Sequence, residues 1–90
     1  MIGNVDLMIY ELTKHARKVL EEREIPVEWL ERALFEPELT VPDPDDALLE
    51  RCFRRIPEVD NRVLRVVVNK TVEPHRVVSV FFDRNMKGRL

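Results

Sequence analysis

The side chains with chemical potential in this 90-residue chain are a histidine near its start and a series of arginines further on. His15 follows Thr13 by two positions, and a helix capped by the Thr13 hydroxyl would hold it in the first turn. The helix dipole there disfavours added positive charge, so the imidazole would stay neutral near pH 7 and serve as acid, base or acceptor. Its competing role is a hydrogen bond to a neighbouring carbonyl that fixes the helix on a sheet. Arg51, Arg54, Arg55, Arg62, Arg65 and Arg76 make up the second feature. Guanidinium groups suit two-point phosphate contacts and base stacking better than ammonium groups do. A strand pair with Arg65 beside Phe81 would hold a single nucleic-acid strand by charge and stacking. The competing role for the arginines is internal, with acidic helices layered on a basic sheet and each neutralising the other.

Charge arithmetic supports that layering. The chain carries 15 Lys+Arg against 17 Asp+Glu, a formal charge of −2. Residues 1–50 hold five basic and thirteen acidic side chains, a balance of −8, whereas residues 51–90 hold ten and four, a balance of +6. Such asymmetry between halves points toward nucleic acid or another polyanion.

Several chemistries are excluded at this level. Gly3 and Gly88 are the only glycines, so no phosphate-cradling loop and no dinucleotide fingerprint can form. Asp43, Asp45 and Asp46 lack the glycine and the closing glutamate of a calcium loop. Cys52 stands alone, which forbids an internal disulfide and fits a reducing cytoplasm. With His15 and His75 far from it in sequence, it makes no zinc-ligand spacing. The expectation is therefore no cofactor and no metal. The apolar run Val77–Phe82 is too short to cross a bilayer, and the first residues do not read as a signal peptide, so a cytoplasmic, non-membrane protein is expected.

Apolar periodicity predicts one domain over residues 1–90, in four parts. Residues 7–36 read as a lead-in strand (7–12) and a helix pair. Thr13 caps a helix over about 14–24 with Ala16, Val19 and Leu20 inward, and Pro26 opens a second over 27–36. Residues 37–47 read as a Pro/Asp loop, and 48–83 as an antiparallel sheet built from strands at 48–56, 62–70 and 76–83. Residues 84–90 read as a basic tail that frays. Leu64, Val66 and Val68 with Val78, Val80 and Phe82 are expected under the helices. Val63, Arg65 and Val67 with Val77, Ser79 and Phe81 are expected on the opposite face, and the facing of the 48–56 strand stays open. The fold class is α+β: two N-terminal helices packed on a three- to four-stranded antiparallel sheet.

One resemblance extends this reading. Leu12-Thr13-Lys14-His15-Ala16, then Glu22-Arg23-Glu24-Ile25, then Trp29-Leu30 and Ala33-Leu34 before Pro37, resembles a family of small bacterial domains, the domain of unknown function 4258. Arg65-Val66-Val67-Val68 and Val77-Val78-Ser79-Val80 match its two closing strands, so the likeness runs from about Ile9 to Phe82. More distantly, the architecture is similar to BrnT-like and RelE-like toxin ribonucleases. That resemblance implies metal-free RNA cleavage on an open sheet face, with His15 and Arg23 carried over from the motif.

Two functions follow as expectations. In a toxin-type ribonuclease, Arg54, Arg55 and Arg65 would hold the scissile phosphate, His15 would move the proton, and the RNA 2′-hydroxyl would attack. In a non-catalytic binding module, Arg23, Arg51, Arg55, Arg76 and Phe81 would dock RNA or an acidic, antitoxin-like protein. Self-association through acidic helices meeting a basic sheet is a third expectation.

Overall fold

The computed structural model describes residues 9–90. Strand β1 (Tyr10–Leu12) leads into helix α1 (Lys14–Glu22) and helix α2 (Val27–Phe35), followed by strands β2 (Leu39–Pro42), β3 (Leu49–Ile56), β4 (Arg62–Asn69) and β5 (His75–Phe82). The fold is α+β, with both helices on one face of a five-stranded mixed sheet ordered β1-β5-β4-β3-β2.

Local chemistry accounts for the helices. Thr13 is the N-cap of α1, its hydroxyl accepting from the Ala16 amide at 3.1 Å. The same hydroxyl donates to the Val78 carbonyl at 3.3 Å, and the Thr13 amide donates to the Val77 carbonyl at 3.0 Å. One residue therefore both starts α1 and clamps it to β5. The helix ends in a Schellman turn: the Glu24 amide donates to the Glu21 carbonyl, and the Ile25 amide to the Leu20 carbonyl. Glu24 takes the left-handed position at φ 55°, and Leu20 and Ile25 are both buried beside it. Pro26 is the N-cap of α2 rather than its first turn, and Leu30, Ala33 and Leu34 form the buried face. Arg32 forks onto Glu58 with two contacts of 2.9 Å, which ties α2 to the β3–β4 connection and lowers the Glu58 pKa to about 2.

The sheet departs from expectation in three places. Residues 39–42, expected within the loop, form β2, an edge strand antiparallel to β3 with Leu39 opposite Phe53 and Val41 opposite Arg51. The lead-in strand covers Tyr10–Leu12 among the described residues and runs parallel to β5 instead of antiparallel, with Tyr10 opposite His75 and Leu12 opposite Val77. Its expected residues 7 and 8 lie outside the described residues. A parallel neighbour needs a long connection, which the two helices and the three-strand meander between β1 and β5 supply. The tail supplies the third departure, since a 3-10 turn at Arg84–Met86 and a Lys87–Asp60 ion pair of 2.9 Å tie it down.

Side-chain facing follows the pleat except at a bulge. Cys52 and Ile56 of β3, Leu64, Val66 and Val68 of β4, and Val80 and Phe82 of β5 contribute to the core under the helices. Val67 pairs with Ser79, but Val68 pairs with Val77, so Val78 is the extra residue. The bulge puts Val77 in the core where Val78 was expected. Burial pushes the Cys52 thiol pKa up, as suits a core side chain. On the other face Phe53, Val63 and Val67 are also buried, beside Arg51 and Arg65.

Candidate anion-binding site

The structure first sorts the arginines by whether a carboxylate already holds them. Arg51 Nε donates to Asp43 Oδ1 at 2.9 Å, where the guanidinium holds the Asp43 carboxyl below its usual range. Arg55 donates to Glu38 from three groups, its backbone amide at 2.8 Å, its Nε at 3.0 Å and its Nη2. These bonds push the Glu38 pKa down to about 2. Arg54 lies between them, donating to the Glu36 carbonyl at 2.6 Å with the Glu36 and Glu38 carboxylates each at 4.0 Å. Arg76 pairs with Glu11 across β5 and β1 at 3.5 Å. Arg65 Nη1 meets Asp83 Oδ2 at 3.4 Å while its guanidinium sits 4.2 Å from the Phe81 ring centroid. Among the described residues, Arg65 Nε is sealed from solvent with no partner, and burial, then the charge of Arg51, lowers the pKa of the group. Internal neutralisation does occur, but its carboxylates come from the loop, the strand ends and the α2 C-cap rather than from the helix faces.

Arg62 is the exception within the set. It continues the Leu64, Val66, Val68 face of β4 to the rim of the sheet, where its guanidinium carbon sits 4.1 Å from the Phe82 ring centroid. Phe82 in turn meets Trp29 edge-on, at 6.3 Å between centroids. Around this stack opens a pocket of about 430 Å³ lined by Arg23, Ile25, Arg62, Phe81, Phe82 and Arg84. Among the described residues, no carboxylate oxygen lies within 4.0 Å of a guanidinium nitrogen of Arg23, Arg62 or Arg84.

Each lining group is positioned by a local device already described. The Schellman turn buries Ile25 and leaves Arg23 at the α1 C-cap beside the end of β5. Asp83 caps the 3-10 turn by accepting from the Asn85 amide at 2.9 Å, and that turn carries Arg84. The notch exists because β1 stops opposite Val77, so Ser79–Phe82 have no strand neighbour on that side among the described residues. A second depression, lined by Arg62, Val63, Phe82, Asp83, Arg84 and Lys87, adjoins it.

Of the expected site residues, the pocket gathers Arg23 and Phe81. Arg65 touches it only through Phe81, whereas Arg51, Arg54, Arg55 and Arg76 are engaged elsewhere. His15 is exposed at the opposite end of α1, about 12 Å from Arg23 along the helix axis. The sequence puts Arg62 in the arginine set without a role in either expected site, and it does not point to Arg84 at all. For Arg62 a signal existed, since strand alternation places it on the Leu64 face next to the end of the aromatic strand. For Arg84 there was none, because its turn depends on Asp83. Among the described residues, no group of three or more His, Cys, Asp and Glu is placed to hold a metal ion, and no helix is long and apolar enough to cross a membrane.

The family model described as domain of unknown function (DUF4258) matches residues 12–82. The chain belongs to this family. No curated protein and no solved structure matches it. In this DUF4258 domain the residues that carry the likeness divide by role. Leu12, Thr13 and Ala16 build the β1–α1 clamp, Ile25 completes the helix stop, and Arg23 faces the pocket.

Proposed function

We propose that this domain is a non-catalytic binding module for single-stranded RNA, with its site at the Arg23–Arg62–Arg84 pocket. The carrying observation is the convergence of three arginines, free of carboxylate partners among the described residues, on one pocket beside the Phe82 ring. Unpaired guanidinium groups hold phosphate at little cost because no internal ion pair has to break first. Phe rings and the guanidinium planes stacked on them offer sequence-tolerant surfaces for bases. Like-charge repulsion between the three groups favours an anion between them.

What supports binding over BrnT-like or RelE-like cleavage is the lining itself, which among the described residues contains no histidine and no carboxylate to move a proton. An acidic antitoxin-like protein would satisfy the charges but would use the aromatic stack less well than a base does.

The test is a titration of fluorescent single-stranded RNA at several salt concentrations, followed by gel analysis of the recovered RNA. Binding that weakens steeply with salt while the RNA stays intact is the expected result. Cleavage that survives excess EDTA would instead support the toxin-type reading, with His15 and Arg65 as the first residues to substitute.

A further inference from the structure

The number and crowding of the arginines say more about the ligand than its sign. A phosphodiester inside a strand carries one negative charge and two free oxygens. A terminal phosphomonoester carries close to two charges at pH 7 and three free oxygens. Three guanidinium groups around one pocket of about 430 Å³ exceed what a single diester needs. They match a monoester, one fork to each oxygen. Successive diesters of a strand lie several ångströms apart and would call for arginines strung along a groove. On the Arg51–Arg65 face, Asp43 and Asp83 already hold the arginine charges.

The shape of the pocket agrees with an end rather than a middle. Ile25 and Phe82 are its apolar side chains on the helix-covered face, and its arginines come from three separate elements: the α1 C-cap, the start of β4 and the turn after β5. It is a notch at the sheet rim where β1 has stopped. We infer that the pocket recognises the phosphorylated end of a single-stranded RNA, its terminal phosphomonoester held by Arg23, Arg62 and Arg84 and the adjacent base lying against the Arg62–Phe82 stack. This inference rests on the RNA-binding reading and names the part of the RNA that the site takes.

The experiment compares one short RNA sequence in three forms: with a 5′-phosphate, with a 3′-phosphate and with hydroxyls at both ends. Anisotropy titrations use the full chain and fixed salt. A phosphorylated form should bind about tenfold more tightly than the double-hydroxyl form, and which form does so identifies the end recognised. Arg84→Ala should remove that preference while leaving circular dichroism and the melting temperature unchanged, because Arg84 is exposed. Arg84→Lys should restore part of it. Equal, salt-sensitive binding of all three RNAs would overturn the end-recognition inference and leave the RNA-binding reading standing. Failure of all three to bind would overturn both.

Discussion

The guanidinium of Arg62 sits over the ring of Phe82 at 4.1 Å, and among the described residues no carboxylate oxygen comes within 4.0 Å of it. Across the same strand pair, on the opposite sheet face, Arg65 sits over Phe81 at 4.2 Å, yet its charge is shared with Asp83. Two similar stacks thus differ in whether their charge is left available. That difference directs the first two predictions.

Arg62→Ala should weaken RNA binding and reduce the slope of log K against log salt by about 0.7, the loss of one phosphate contact to a single strand. Arg62→Lys should keep much of the slope but lose affinity, because an ammonium stacks poorly on Phe82. Titrations at four or more salt concentrations would measure both. An unchanged slope in the alanine variant would remove Arg62 from the site.

Arg51→Ala should leave the salt slope unchanged, since Asp43 already engages the Arg51 charge at 2.9 Å. Its effect should appear in stability, because the Asp43 carboxylate loses its partner while still capping the Asp45 and Asp46 amides. Thermal melts beside the same titrations separate the two outcomes. A slope reduced as much as in Arg62→Ala would show that the open sheet face contacts RNA.

Glu38 gives the fold an acid limb. Its carboxyl is lowered from 4.5 to about 2, first by the Arg55 side-chain hydrogen bond and then by the bond from the Arg55 amide. The unfolded chain therefore binds this proton more readily than the folded chain does. The contribution to stability is complete above about pH 4.5 and is lost as pH falls toward 2. Glu38→Gln should cost about 1 kcal/mol at pH 7 and should flatten the dependence of the melting temperature on pH between 4.5 and 2. An equally steep acid limb in the variant would assign that limb to other carboxylates, with Glu58 first among them.

Glu24 occupies the left-handed position of the α1 stop at φ 55°, where a side chain is strained and glycine is not. Glu24→Gly should stabilise the domain by about 0.5 kcal/mol, after allowance for the extra freedom of glycine in the unfolded chain. Chemical denaturation would register this as a higher midpoint at constant m-value. A lower midpoint would mean that the Glu24 side chain contributes more than its backbone strain costs.

Much of the scaffold is local and therefore readable in sequence. Thr13 announces α1 because a hydroxyl at that position can satisfy a free amide, and Ala16 and Leu20 follow at helical spacing. Leu64, Val66 and Val68 alternate on one strand, so their common face is set before any partner is known. The charge division between the halves is likewise a property of order alone.

Tertiary structure decided what depends on distant partners. Residues 39–42 become a strand only because β3 offers an edge, and β1 takes its parallel partner, β5, from across a long connection. The bulge at Val78 exchanges it with Val77 in the core, a choice made by pairing across β4 and β5. Above all, sequence order shows arginines but not which carboxylate stands within reach of each. Coulombic pairing falls off over a few ångströms, so Asp43, Glu38 and Asp83 engage their arginines only once the chain is folded. Folding also leaves Arg23, Arg62 and Arg84 together, from positions as far apart as α1 and the turn after β5.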